Sequence, residues 1–142
     1  MQCTALVIDD EPLARKRMMQ LLEPFSSEIE ILGEAGSGAQ AVKMIHEMLP
    51  DVVFLDIQMP DMDAFEVLHS LRGEDMPLVI FTTAYDNFAL KAFEENTVDY
   101  LLKPVDPERL ATAIEKLRRM IPQVDDTTVP PGFSWEKLCN LV

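Results

Sequence analysis

Short apolar runs recur along the chain, and segments with helical periodicity separate them. The first run, T-A-L-V-I at residues 4–8, is rich in strand-forming residues and is followed at once by acids. Ile29 and Ile31 alternate with acids, as in a half-buried strand, until the segment G-E-A-G-S-G-A breaks the pattern. Further apolar runs occupy residues 52–55, 78–82 and 98–102. The pattern therefore predicts five strands.

Helices are predicted between and after these strands. The first begins near Pro12, which suits a first-turn position because its missing N–H would have no helical partner there, and Pro24 ends it. The second carries apolar residues at helical spacing and ends before Pro50. Three more are predicted near residues 63–72, 87–95 and 107–120. Strands that are apolar on both faces and alternate with helices predict an α/β fold, a doubly wound parallel sheet with five strands and five helices.

The composition changes after the last predicted helix. Residues 122–133 contain three prolines and show no periodicity, which is typical of a linker. Residues 134–142 begin with a candidate N-cap, Ser134, and place Trp135, Leu138 and Leu141 on one helical face. We therefore expect one domain over residues 1–121, then a linker and a short C-terminal tail.

Charge and hydropathy narrow the possible functions. Among 142 residues, 12 Lys and Arg stand against 25 Asp and Glu, which gives a formal charge of −13. This charge repels phosphate backbones and anionic lipids, so direct nucleic-acid binding by this chain is not expected. No apolar run is long enough to span a membrane and the N-terminus lacks a signal-peptide pattern, which predicts a cytoplasmic protein without membrane association. Cys3 and Cys139 are interpreted as reduced structural thiols.

Five polar residues follow the C-terminal ends of predicted strands: Asp9, Asp10, Asp56, Thr83 and Lys103. Ligand sites of doubly wound sheets lie at this edge. Each residue also has a structural interpretation, because either of the first two acids could cap a helix and Asp56 could accept hydrogen bonds from turn amides. Thr83 is a good strand former, and Lys103 could be solvated. Convergence on one edge favours a functional site over five independent accidents.

Three carboxylates close together repel one another unless a cation neutralises them, so the cluster predicts a metal site. Oxygen ligands with no nearby Cys or His suit Mg²⁺. In that setting Asp56 could accept a phosphoryl group as an aspartyl phosphate, and Lys103 would offset the charge on the transferring oxygens. Thr83 could hydrogen-bond a phosphoryl oxygen, a contact that would depend on modification.

The motifs V-I-D-D-E-P, F-L-D-I-Q-M-P, F-T-T-A-Y and D-Y-L-L-K-P carry these residues in order. Over roughly residues 3–121 the chain resembles the receiver domain of two-component response regulators. The resemblance implies the flavodoxin-like receiver fold, with strand order 2-1-3-4-5. It implies that Asp56 is the phosphoacceptor and that Asp10 and Asp56 bind Mg²⁺. Asp9 would contact the metal directly or through water, and the backbone carbonyl of Gln58 would be another ligand.

The same resemblance implies a switch and partners. Thr83 would be the switch hydroxyl, Tyr100 the switch aromatic and Lys103 the phosphate-binding lysine, followed by a typically cis bond to proline. A sensor histidine kinase would donate the phosphoryl group, and phosphorylation would promote a homodimer through the face formed by the fourth predicted helix, the fifth strand and the fifth helix. Ala64 departs from the family, which usually has Gly there, so the turn after the third strand is expected to avoid positive φ.

The segment F-T-T-A-Y-D-N-F-A-L-K-A-F-E-E-N-T-V-D-Y-L-L-K-P is similar to receivers attached to LytTR-type DNA-binding domains of transcription regulators. The residues after 121 are too few to hold such a domain. We therefore interpret the chain as a truncated regulator, and a stand-alone receiver is the alternative.

Two other functions fit parts of the pattern. A haloacid-dehalogenase-like phosphatase also forms an aspartyl phosphate, but it needs an acid two residues after its nucleophile, where this chain has Gln58. A receiver that is no longer phosphorylated and serves only for docking is the second. We expect a signalling switch rather than a turnover enzyme.

Other motifs carry weaker signals. The glycine-rich residues 33–40 lack the Lys and Ser or Thr of a nucleotide-binding loop, so a loop and helix start is expected. D-M-D-A-F at residues 61–65 is expected to form a turn and a helix cap. His46 and His69 are interpreted as surface or core-edge residues without a carboxylate partner at ligand spacing.

Overall fold

A computed structural model describes residues 2–71, 73–85 and 96–121 of the chain. The strands are β1 (Cys3–Ile8), β2 (Ile29–Ala35), β3 (Val52–Asp56), β4 (Leu78–Thr83) and β5 (Thr97–Leu102). All neighbouring pairs are parallel, and the sheet has the order β2-β1-β3-β4-β5. The predicted α/β fold with a parallel five-stranded sheet in this order is confirmed.

Four α-helices lie in the described part of the chain: α1 (Pro12–Leu22), α2 (Gly38–Met48), α3 (Ala64–His69) and α4 (Pro107–Met120). Pro12 occupies the first turn of α1, as predicted. The other three helices begin after Ser37, Asp63 and Asp106, whose side chains each accept a hydrogen bond from a backbone N–H of the first turn. The helix predicted near residues 87–95 lies outside the described residues, as do the predicted linker and tail. No helix of residues 2–71, 73–85 and 96–121 is long and apolar enough to cross a bilayer.

Alternate residues of the central strands face two separate cores. Val7 on β1 and Phe54 on β3 belong to the α1/α4 core, which we define as the buried cluster under α1 and α4. Leu6 and Leu55, their sequence neighbours, belong to the α2/α3 core on the opposite face of the sheet. Fully burying each such side chain contributes roughly 1.5–3 kcal/mol to the free energy of folding. Because both faces of the sheet are covered, the doubly wound prediction is confirmed.

The second strand is longer than its pattern predicts. β2 continues through Gly33 to Ala35, although the glycines were expected to break it. The register with β1 shifts there, since Ala5 pairs with Ile31 but the next residue of β1 pairs with Gly33. A Cβ atom on Gly33 would lie 2.9 Å from the terminal methyl group of Met44 on α2. Gly33 therefore leaves room for α2 to pack closely on β2, and it does not end the strand.

The third helix begins where D-M-D-A-F predicted a cap and ends at His69, earlier than predicted. Ala64 is its first residue and is fully buried. Within the described ranges, the one non-glycine residue with positive φ is Leu49, at 48°. The turn at Ala64 thus avoids positive φ, as expected for an alanine.

Candidate functional site

The carboxyl ends of β1, β3, β4 and β5 form one rim of the sheet, and the polar residues predicted to converge lie along it. Asp9 follows β1, Asp56 ends β3, Thr83 ends β4 and Lys103 follows β5. The residue pairing of the parallel strands fixes this alignment, because each strand ends level with its neighbour. The peptide bond between Lys103 and Pro104 is cis.

The three acids lie close enough together to share a cation. Each of Asp9, Asp10 and Asp56 offers one carboxylate oxygen, and these oxygens all lie within 4.8 Å of one another. Asp9 and Asp56 are only 5% and 4% exposed, and Asp10 is partly buried. Such an oxygen-only donor set with several units of negative charge fits a hard divalent cation such as Mg²⁺.

Lys103 supplies the positive charge of the rim. Its Nζ lies 2.7 Å from Asp9 Oδ2 and 3.4 Å from Asp56 Oδ1. Burial alone would lower the pKa of Lys103, but the hydrogen bond with Asp9 and the charges of Asp56 and Asp9 raise it above its ordinary value. The lysine is therefore a permanent cation beside the two most buried acids.

Among the acids of the described residues, Asp56 is the one whose surroundings most disfavour ionisation. Burial raises its pKa to about 7, and the charge of Asp9 and a hydrogen bond with Asp10 act in the same direction. The charge of Lys103 and the backbone N–H of Gln58 partly offset these effects. Without a metal, Asp56 is thus largely protonated below about pH 7, and a divalent cation would favour its ionised form by offsetting the neighbouring negative charge.

Arg15 fixes the turn that carries the first two acids, and the sequence pattern did not single it out. Its Nη1 donates to the Asp9 carbonyl at 2.6 Å, and its Nε donates to Glu34 Oε1 at 2.7 Å. The backbone N–H of Glu11 donates to Asp9 Oδ1 at 3.0 Å. Arg15 lies in the predicted first helix, but nothing local in the sequence indicates that its side chain contacts Glu34 on β2.

Residues 5–115 match the family model described as the response regulator receiver domain. The chain belongs to the response regulator receiver family. Receiver domains are signalling switches, and the match bears out the resemblance over most of its predicted extent.

Relatives of this receiver are bacterial regulators. A response regulatory protein of Vibrio cholerae, itself uncharacterized, is 52% identical over 116 residues, which are 82% of this chain and 48% of that protein. The transcriptional regulatory protein BtsR of Escherichia coli is 42% identical over 125 residues, 88% of this chain and 52% of that protein. The chain thus spans about half the length of the curated relatives it matches.

Solved receiver domains have the same fold. The receiver domain of the response regulator NarL from Mycobacterium tuberculosis aligns with a TM-score of 0.72 and 29% identity, over 84% of this chain and 98% of that chain. The receiver domain of AraT from Geobacillus stearothermophilus aligns with a TM-score of 0.72 and 32% identity, over the same shares of the two chains.

Thr83 and Tyr100 of this receiver meet at one backbone segment. Thr83 is 1% exposed, and its hydroxyl oxygen accepts a hydrogen bond from the backbone N–H of Tyr85 at 3.1 Å. The hydroxyl of Tyr100 donates to the backbone carbonyl of Tyr85. The two residues expected to form the switch are therefore linked through the main chain at residue 85.

An ion pair between buried Asp99 and half-exposed Arg109 anchors β5 to α4 beside Tyr100 of the receiver. Asp99 is 8% exposed, and Arg109 reaches its two carboxylate oxygens at 2.7 Å each, while Lys116 Nζ lies 3.2 Å away. Burial alone would raise the pKa of Asp99, but hydrogen bonds from Arg109, the Tyr100 N–H and Lys116 lower it below its ordinary value. Arg109 also donates to the Tyr100 carbonyl at 3.1 Å. The sequence pattern does not single out Asp99, because this acid lies within a run of mostly apolar residues.

The histidines lie away from the rim. His46 and His69 are exposed on the surface, as predicted. His46 nevertheless has a carboxylate partner, since its Nδ1 lies 2.8 Å from Asp75 Oδ2. That pairing joins residues 29 positions apart and was not visible in the spacing.

Proposed function

We propose that this receiver accepts a phosphoryl group on Asp56 from a sensor histidine kinase. The observation that carries the proposal is the juxtaposition of three acids within 4.8 Å with Lys103 paired to Asp56 at the edge where parallel sheets bind ligands. Asp10, Asp56 and the backbone carbonyl of Gln58 would hold Mg²⁺, and Asp9 would contact it directly or through water. Bound there, Mg²⁺ would supply positive charge next to the transferring oxygens.

The transfer makes one bond and breaks one. A carboxylate oxygen of Asp56 forms a bond to phosphorus, the phosphorus–nitrogen bond of the kinase phosphohistidine breaks, and its electron pair stays on the imidazole. The attack requires ionised Asp56, and Lys103 favours that form because it lowers the pKa of the acid. Lys103 then offsets the charge spread over the phosphoryl oxygens.

The output begins at Thr83. Its hydroxyl accepts a hydrogen bond from Tyr85 without phosphate, and it donates to a phosphoryl oxygen once Asp56 is modified. Because Tyr100 bonds the carbonyl of the same residue 85, movement of this segment changes the position of Tyr100. The face to which β5 and α4 belong reads the change and supports a phosphorylation-promoted homodimer.

We assign the whole protein a role in transcription through a LytTR-type DNA-binding domain outside this chain. The likeness of residues 81–104 to such receivers and the relatives named as transcriptional regulators support this output. Residues 1–121 would be the receiver, 122–133 the linker and 134–142 a tail that leads towards the output domain.

The kinase docks beside α1. Leu13 is 79% exposed, the largest exposed fraction among the large apolar side chains of the described residues, and it lines a groove of about 420 Å³. Asp9 and Lys103 of the rim line the same groove, together with Pro104 and Val105. The kinase phosphohistidine can reach Asp56 only when the kinase surface around that histidine covers the rim. The apolar groove beside the rim therefore fits the kinase domain that carries the phosphohistidine.

Phosphorylation by acetyl phosphate with Mg²⁺, followed by intact mass, tests the central proposal. We expect one added phosphoryl group on the wild type and none on Asp56→Ala. Asp63→Asn is the matched control, because it removes an acid from the loop that follows Asp56 while Asn still caps α3. Addition that survives in Asp56→Ala, or no addition to the wild type, would contradict the proposal.

The docking surface and the dimer are tested separately. Leu13→Asp should slow transfer from a phosphorylated histidine-kinase core at least about tenfold, since it places a charge in an apolar contact, while labelling by acetyl phosphate stays unchanged. Equal slowing of transfer from both donors would place Leu13 in the chemistry instead.

Analytical ultracentrifugation with beryllofluoride and Mg²⁺ should show increased association, and unchanged sedimentation would exclude the dimer.

The phosphatase alternative is disfavoured by Gln58, whose exposed amide offers no general acid. Many turnovers of phosphate release per chain from a small phosphomonoester would reverse this choice.

A further inference from the structure

Asp61 lies in the loop between β3 and α3, yet its carboxylate caps a different helix. Its Oδ1 accepts a hydrogen bond from the Gly38 N–H at 2.9 Å, and its Oδ2 accepts one from the Ala39 N–H at 3.0 Å. These are orphan donors in the first turn of α2, where the helix dipole also favours an anion. The same hydrogen bonds hold the pKa of Asp61 below its ordinary range, so the contact persists at neutral pH.

A close contact accompanies this cap. A Cβ atom placed on Gly38 would lie only 2.6 Å from the Cβ of Met62, so glycine is needed for the approach of the loop. The loop and the first turn of α2 therefore meet through two adjacent residues, Asp61 and Met62.

The base of the loop is held by the sheet and by α3. The Ile57 N–H donates to the Thr82 carbonyl at 2.9 Å, and the Ala64 N–H donates to the Ile57 carbonyl at 2.9 Å. Residues 58–63 span the interval between these two bonds and include Gln58. Their outer part is fastened to α2 by Asp61 and Met62, so the position of Gln58 depends on both ends of the loop.

We propose that Asp61 is a positioning residue for the metal: it ties the β3–α3 loop to α2 and so keeps the Gln58 carbonyl directed at the acidic cluster. The inference rests on the proposed function, because it takes that carbonyl as a ligand of Mg²⁺. It adds that the first turn of α2, which holds none of the metal ligands, controls the affinity of the site for the cation. Groups that orient a ligand typically change metal affinity about 10- to 100-fold when they are removed.

Direct Mg²⁺ titration by calorimetry of Asp61→Ala tests this role. We expect affinity for Mg²⁺ to fall about tenfold. Ser37→Ala is the matched structural control, because Ser37 caps the same helix through the Gln40 N–H at 3.2 Å and does not belong to the loop. Asp63→Asn is the charge control, since it removes one negative charge from the loop and keeps the cap of α3. Both controls should stay within about twofold of the wild type.

Hydrogen exchange gives a second readout. The Gly38 and Ala39 amides should exchange faster in Asp61→Ala, and saturating Mg²⁺ should slow them in the wild type, because the metal then holds the loop from its other end. Equal affinity of Asp61→Ala and wild type would overturn the inference while the proposed function stands. Equal losses in Ser37→Ala or in Asp63→Asn would assign the effect to helix stability or to charge, and would overturn it too. A wild type that binds no Mg²⁺ would overturn both proposals.

Discussion

Asp56 shows how one carboxyl group can be unfavourable for stability and suited to chemistry. Its burial and the neighbouring acids raise its pKa to about 7, so the metal-free fold favours the protonated acid. An unfolded chain has no such preference, because a solvated Asp has a pKa near 3.9. The protein thus holds the proposed phosphoacceptor in an environment that a cation would make less unfavourable.

This difference predicts a pH-dependent stability. Between about pH 4 and pH 7 the unfolded chain has lost the Asp56 proton while the folded chain keeps it, so this group lowers the free energy of unfolding as pH rises. Asp56→Asn lacks the group. Relative to wild type it should gain little near pH 4 and about 2–4 kcal/mol above pH 7. Urea unfolding in EDTA from pH 4 to pH 8 measures the difference, and a constant difference across that range would contradict the prediction.

Lys103 provides the opposite test. Lys103→Met leaves Asp9 and Asp56 without their cation, so the metal-free protein should lose about 2–4 kcal/mol of stability. Because Mg²⁺ then supplies all of the compensating charge, saturating Mg²⁺ should raise the thermal midpoint more in this variant than in wild type. Lys116→Met is a matched control, since this lysine pairs with Asp99 and with no acid of the rim in the described residues. Equal Mg²⁺ shifts in all three proteins would contradict the expectation.

At the scale of elements, α2 ends in a strained conformation. Leu49 has a φ of 48°, its side chain is 56% exposed, and Pro50 follows it. An L-residue with a bulky side chain is unfavourable in this left-handed region, and Asn tolerates it better.

Leu49→Asn should therefore raise the free energy of unfolding by about 0.5–1 kcal/mol. Met48→Asn is the control, because Met48 is 43% exposed but helical, and Asn is a poorer helix former there. Chemical denaturation should show opposite signs for the two variants. Destabilisation of equal size by both would show that the left-handed backbone costs nothing.

Helices and strands could largely be predicted because their signals are local. Pro12, Asp63 and the apolar runs each act within a few residues, and the strand ends placed Asp56 and Lys103 correctly on the rim. The predicted second strand ended too early, because Gly33 has a low strand propensity. In the structure, Gly33 stays in the strand because α2 packs closely there through Met44. The role of Gln58 as a metal ligand and those of the switch residues stay predictions.

Long-range side-chain pairs could not be predicted. Arg15 with Glu34, Asp61 with the start of α2, and Asp99 with Arg109 each join different elements. No periodicity encodes them, because each depends on which elements the fold brings together. Charged residues in these places read as ordinary surface residues until the sheet order is known.

For the molecule as a whole, the described cores are formed by residues that precede the predicted linker. α4 closes the α1/α4 core through Leu110, Ala113, Ile114 and Leu117, all fully buried. Because residues 122–133 have the composition of a linker, a chain that ends after Ile121 should keep its thermal midpoint within about 2 °C and any affinity for Mg²⁺.

A chain that ends after Asp106 is the control, and it should not fold cooperatively, because it lacks the apolar face of α4. Loss of more than about 5 °C on removal of residues 122–142 would show that the tail stabilises the receiver, and would move the domain boundary.

The division of the core by the sheet also has an evolutionary consequence. Val7 and Leu6 are neighbours in sequence, but they contact different layers of side chains. A gain of volume in one layer can be compensated only within that layer. An alignment of relatives should therefore show paired size changes within each layer and almost none between layers, so the two faces of the protein can diverge at independent rates.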